Sequence, residues 1–330
     1  MNDLSAVLHE LTRIFRHASN KYEAHSRSQP LLAGLIGNKR ILTQVLEKHL
    51  RASDVLNKRH YPVLSIEIEL NPCYSLMANC WIPLPTGETD VATKAIHHHG
   101  KMLLTTHTVF GPGYEHWLFT PPKLMDAEQE LFSMEVTKIV QPSDGHGAFV
   151  DVNVPHLPWY PASLTITLAL FSNSTITTYK DYLKRIPFLK NKEAALRSLG
   201  GRLGLAKWLD LKMVRYFDFY PTPEGFKGMS QRKEYALGPN DDYLQSLFHI
   251  LQQTGNEALL SLIEQRLASG QLVLNPGLVE KLAGDLKTQR PIQGKLSNCH
   301  LAIPHANFTK KDIDRTLVAL RANKKEIHAG

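Results

Sequence analysis

The chain has 330 residues, 43% of them hydrophobic and 21% charged, a balance typical of a folded globular protein. No stretch approaches the ~20 apolar residues that span a bilayer. Three cysteines, none in a Cys-x-x-Cys pair, argue against a disulfide framework and for a reducing, cytoplasmic setting.

The length suggests roughly two domains, or one domain with large additions. The net charge of +7 is unevenly placed. Residues 1–179 hold 14 Lys+Arg against 16 Asp+Glu, and residues 180–330 hold 24 against 15. A basic surplus of this kind leaves open an acidic partner such as nucleic acid, beside the plainer reading of a solvated helical surface.

The first 22 residues lack an apolar signal-peptide core and read as an amphipathic helix. Across residues 1–57, Val7, Leu8, Leu11, Ile14 and Phe15 recur at helical spacing, as do Leu42, Val45, Leu46 and Leu50. Pro30, Gly34 and Gly37 punctuate the region between these two stripes.

The period changes at Tyr61-Pro62. Leu64, Ile66, Ile68 and Leu70 alternate with Ser65, Glu67 and Glu69, the pattern of a strand with one polar face. Further strands are expected at residues 75–83, 92–110 (one long strand or two), 114–119, 130–141, 148–154 and 163–171. Gly111-Pro112-Gly113 turns a hairpin. So many short strands in about 110 residues imply a closed or sandwich-like β architecture.

Beyond Asn173 the helical period returns, at residues 180–190, 193–205, 243–253, 257–269, 276–288 and 310–321. Asn256 and Thr309 suit N-caps and Gly270 a C-terminal stop. The expected units are a helical lead-in (1–60), a β-barrel (61–173) and a basic, mostly helical region (174–330).

The chemistry concentrates at His97-His98-His99. Alternation along a strand places His97 and His99 on one face and turns His98 away. Two imidazoles so spaced can share one metal ion, and His156, at the end of a later strand, is the candidate third ligand. Three neutral imidazoles leave positions open on the metal for a ligand, as a catalytic site requires. The plain alternative is adjacent histidines on a strand by chance, and His107, His116 and His146 compete for a place. His107 shares the parity of His97 and His99 only if the strand runs unbroken, and Gly100 is a natural site for a bulge.

Glu115 and Tyr160 are candidate catalytic side chains at the barrel rim. Tyr114 and Trp159 lie beside them, and simple packing or a solvated turn is the competing reading. No phosphate-binding loop, Gly-x-Ser-x-Gly or His-Glu-x-x-His occurs.

Residues 61–172 resemble the cupins, and among them the thiol dioxygenases such as cysteine dioxygenase. The likeness rests on His97-x-His99, the glycine-turned hairpin, His156 and the Ser/Thr-Leu-rich strand ending at Phe171-Ser172. It covers about a third of the chain. It implies an α+β protein, a cupin-like antiparallel double-stranded β-barrel flanked by N-terminal helices and a C-terminal helical region. It also implies an Fe(II) centre on His97, His99 and His156, activating O₂ against a small polar substrate that chelates the metal.

The chain departs from those relatives in three places. Leu103 and Leu104 stand where many cupins carry a glutamate ligand. No cysteine follows His99 until Cys299, and Thr167-Leu168-Ala169-Leu170-Phe171 replaces a Ser-x-His-x-Tyr strand. The expectation is therefore a non-haem iron dioxygenase-like oxidoreductase with no membrane partner, a homodimer being left open. The alternatives are a metal-dependent cupin isomerase or lyase, and a ligand-sensing cupin joined to a basic partner-binding module.

Overall fold

The computed structural model describes residues 3–59, 63–142, 147–172, 216–229, 238–295 and 308–329. The helices expected at 180–190 and 193–205 lie outside these residues. So do Tyr61-Pro62, His146 and Cys299.

Three helices lead in: α1 (Leu4–His17), α2 (Lys21–Ala33) and α3 (Lys39–Leu50). Helix α1 buries Leu4, Val7, Leu11, Ile14 and Phe15, and α3 buries Ile41, Leu42, Val45, Leu46 and Leu50, the two apolar stripes of the sequence. Helix α2 departs from the expectation of an irregular connection. Its start is fixed by a reciprocal cap, in which Asn20 accepts from the Glu23 N–H and Glu23 accepts from the Ser19 N–H. The helix continues through Pro30 and stops before Gly34.

The β block follows as β1 (Leu64–Leu70), β2 (Tyr74–Trp81), β3 (Ile96–His97), β4 (Leu104–Phe110), β5 (His116–Phe119), β6 (Lys123–Asp126), β7 (Leu131–Ser133), β8 (Val136–Val140), β9 (Gly147–Val150), β10 (His156–Pro158) and β11 (Thr165–Ser172). The stretch 92–110 is two strands in two different sheets, and the stretch 130–141 is likewise divided into β7 and β8.

One sheet runs β1-β2-β11-β4-β9. The other contains β3-β10-β5-β8 and continues past β3 through β12 (Asp218–Thr222), β13 (Gly225–Met229), β7 and β6. Every named pairing is antiparallel. Strands β12 and β13 come from the region read as helical, and they extend the barrel's own sheet.

The sheets face each other through Leu104, Val150 and Ala169 of one and Leu118 of the other. Their outer faces are covered by helices. Leu64, Ile66, Ile68, Ile166, Leu168 and Leu170 join α1, α3 and the C-terminal helices α4 (Asn240–Gln253), α5 (Leu260–Ala268) and α6 (Pro276–Lys287) in one apolar cluster.

The second sheet's outer face carries Ile96, Trp117, Trp159, Phe219 and Phe226. It is capped by Ile313, Leu317 and Leu320 of α7 (Lys310–Ala329). Buried polar pairs pin the helical layer: His25 Nδ1 bonds Thr105 Oγ1 at 2.8 Å, and His49 Nε2 bonds the Tyr243 hydroxyl at 2.8 Å.

Among the described residues no helix is long and apolar enough to cross a membrane.

Candidate metal centre

Strand pairing assembles the site. His156 on β10 is the cross-strand partner of His97 on β3. Directly opposed residues of a ladder project from the same face, so both imidazoles enter the barrel. Strand β3 ends at His97, and His99 reaches the same space through a turn. Gly100 there has φ +61°, a conformation glycine adopts without strain. Its carbonyl accepts from the Asn153 N–H at 2.7 Å, which ties the His99 turn to the segment leading into His156.

The ring centroids of His97, His99 and His156 lie 4.2 to 5.0 Å apart. One nitrogen from each falls within 4.8 Å of the others, a group that could hold a metal ion.

The hydrogen bonding orients these rings. His97 Nδ1 donates to the Ala95 carbonyl at 3.0 Å, which leaves Nε2 as the lone-pair nitrogen, and that buried atom has no hydrogen-bond partner. His156 Nδ1 faces the Val154 carbonyl at 3.5 Å. A backbone carbonyl on the far nitrogen is the usual way a protein sets the tautomer of a metal-binding histidine.

Burial holds His97 and His156 well below the ordinary imidazole pKa. The Lys94 charge and the neighbouring imidazoles push in the same direction. Both rings therefore stay neutral, the form that binds metal. A buried set of nitrogen donors, one of them unsatisfied, fits a borderline transition-metal ion.

His98 behaves as strand alternation requires. Its Nε2 donates to the Tyr216 carbonyl at 2.8 Å, its Nδ1 accepts from the Gly100 N–H at 2.9 Å, and its ring stacks on Phe217. His107 does not join the group. Strands β3 and β4 belong to different sheets, so shared parity along 92–110 means nothing there. His107 instead sits on β4 between Leu168 and Gly147.

Glu115 is not a member of the three-histidine group. Its carboxylate pairs with Lys310 at 2.9 Å and accepts from Trp117 Nε1. Burial works against its ionisation, but these two hydrogen bonds prevail and hold its pKa below the ordinary value. Tyr160 is buried just past β10, with its backbone N–H directed to the Val91 carbonyl.

Two further residues lie on the inner face: Asp218, which the sequence reading does not single out, and His116, which it names only as a competitor for a ligand place. Asp218 on β12 is the other cross-strand partner of His97 and is 3% exposed. His116 on β5 is 2% exposed, with its ring 5.1 Å from His156; burial, then Lys94, lowers its pKa to about 3. The Phe171 ring closes over His99 at 5.0 Å. A hairpin signal around Pro223-Glu224-Gly225, read as a turn between two aromatic-rich runs, would have found Asp218.

Strand order now decides the architecture. The chain fills one sheet as β2-β11-β4-β9 and the other as β3-β10-β5-β8, the eight-stranded double Greek key of a jelly roll. The fold is cupin-like. No protein-family model and no curated protein sequence matches the chain.

Solved structures similar to part of it include an RmlC-like cupin from Shewanella frigidimarina. That structure has 13% identity and a TM-score of 0.22, with 37% of this chain and 81% of that chain covered. Ectoine synthase from P. lautus has 13% identity and a TM-score of 0.24, with 38% and 74% covered. A variant of oxalate decarboxylase from Bacillus subtilis has 12% identity and a TM-score of 0.23, with 44% and 36% covered. Likenesses this distant carry no inference about a reaction, and the description of this cupin-like barrel rests on its own strand order.

Proposed function

We propose that the chain is a non-haem iron(II) cupin oxygenase acting on a small polar substrate, with His97, His99 and His156 as the metal ligands. The observation that carries the reading is the group of three inward-facing imidazoles with no carboxylate or thiolate among its members. Three neutral nitrogen donors leave more than one coordination position open. Open, adjacent positions suit a reaction in which substrate and O₂ meet.

When bound, ferrous iron would supply substrate coordination and O₂ activation. The protein's own contribution is orientation and exclusion of water. The Ala95 and Val154 carbonyls fix two ligand rings. His98 and the Asn153–Gly100 hydrogen bond hold the turn that presents His99. Phe171 covers His99, and Trp81 and Tyr114 pack together at 4.9 Å beside His116.

The test is anaerobic loading with Fe(II), metal analysis, and O₂ uptake against a panel of small thiols, diketones and hydroxy acids. One iron per chain with substrate-dependent O₂ uptake supports the proposal. One metal per chain with turnover of a panel compound and no O₂ uptake refutes the oxygenase in favour of an isomerase or lyase. A chain that retains no metal refutes both.

A further inference from the structure

His116 is a buried group that the metal ligation leaves unused. It lies on β5 opposite Pro158, in the same ladder that places Leu118 opposite His156, so it projects from the face that carries the ligands. It is 2% exposed, and its ring centroid is 5.1 Å from His156 and 5.9 Å from Tyr114. Neither ring nitrogen has a hydrogen-bond partner.

The neighbouring polar atoms are satisfied. Trp81 Nε1 donates to Thr167 Oγ1 at 3.0 Å, and the Tyr114 hydroxyl is hydrogen-bonded to Thr106 and Thr167. Leu118, two residues along the same strand face, is apolar. An imidazole buried without partners destabilises a fold relative to an apolar side chain of similar shape, so its presence here, with no partner among the described residues, points to a bound ligand as the partner. Its nitrogens fall outside the three-histidine group. The partner is therefore a ligand beside the metal position.

We infer that His116 is a substrate-contacting residue, one ring nitrogen of which hydrogen-bonds a ligand seated at the open side of the metal group next to His156. The inference rests on the metal-centre reading above. A neutral imidazole offers one donor and one acceptor. The ligand must then carry a polar atom close to the atom that coordinates the metal. The positive charge of Lys94 acts on His97, His116 and His156 alike, a field that favours an anionic ligand.

The experiment loads the full chain with Co(II), whose visible bands report coordination, and titrates it with sodium azide as a small anionic probe. Wild type is compared with His116→Phe and His116→Gln. The expected result is one cobalt per chain in all three proteins. Azide affinity should fall about tenfold or more in His116→Phe and be largely restored in His116→Gln, whose amide can still donate.

Equal azide affinity in the three loaded proteins overturns the role of His116 and leaves the metal centre standing. Loss of cobalt from both variants makes His116 part of the metal sphere and overturns the substrate contact. A wild-type chain that binds no cobalt removes the metal reading itself, and this inference with it. If His116→Phe does not fold, His116→Leu takes its place in the same comparison.

Discussion

His97 and His98 are adjacent in the chain, yet the structure assigns them opposite consequences when replaced by alanine. His98 is fully buried, and its two ring nitrogens bond Tyr216 and Gly100 while the ring stacks on Phe217. Alanine removes two hydrogen bonds worth about 1 kcal/mol each. It also forfeits a ring contact of about 1 kcal/mol and leaves a cavity and an unsatisfied carbonyl. Together these give a loss of roughly 3–4 kcal/mol, in line with other truncations of buried rings.

His97→Ala removes one hydrogen bond, from Nδ1 to the Ala95 carbonyl, together with a ring whose buried Nε2 was unsatisfied, so the metal-free protein should lose less than with His98→Ala. Urea unfolding of the metal-free proteins measures the first difference, and metal stoichiometry after anaerobic loading measures the second. His98→Ala should be strongly destabilised but still bind most of one metal per folded chain. His97→Ala should be destabilised less than His98→Ala and bind none. Equal stabilities, or complete metal loss from folded His98→Ala, would refute the reasoning.

Two further expectations follow from buried charge and its absence. Burial lowers His25 and His49 to about 4 from an ordinary 6.5, so the unfolded chain takes up protons below pH 6.5 while the folded chain does not until about 4. Their contribution is whole above pH 6.5 and is lost as the pH falls through that window, roughly 3 kcal/mol each at the acid end. Unfolding free energies between pH 7 and 4 should show this slope, and His25→Gln with His49→Gln should make it shallower, leaving the part that the other buried histidines contribute. Glu115→Gln breaks the half-buried pair with Lys310. It should lower the unfolding free energy by about 1 kcal/mol without changing metal stoichiometry; a loss of metal would return Glu115 to the site.

The barrel was most legible at β1, an edge strand with one exposed face. Along β1, Leu64, Ile66 and Ile68 are buried while Ser65 and Glu67 are exposed, and that alternation is visible by eye. The three histidines were legible for a related reason. A two-residue spacing shares a face in a strand, and here it survives the end of the strand because the Gly100 turn stays local. Helix α2 was missed because its buried residues are Ala24, His25, Ser28 and Leu32, too polar to form an apolar stripe. The hairpin β12-β13 was missed because Pro221, Pro223, Gly225 and Gly228 in twelve residues read as a loop. Both strands are nevertheless interior to their sheet, and Pro221 is paired with Phe226.

That hairpin also bears on how the site is held. Strand β3 is only two residues long, and its pairing to β10 is the single pair His97–His156. On its other side β12 pairs with both Ile96 and His97. Short isolated pairings are marginal alone, so β3 draws more of its backbone support from beyond residue 173 than from the strand carrying the third histidine. Phe219 and Phe226 secure the hairpin against Ile313, Leu317 and Leu320 of α7. The same helix starts with Lys310 paired to Glu115 on the strand-to-turn junction before His116. The C-terminal region is thus built into the sheet that carries the histidines. Its hairpin pairs edge to edge with β3, which carries His97, and its helix packs on the outer face of the same sheet and ties through Lys310 to Glu115, beside His116.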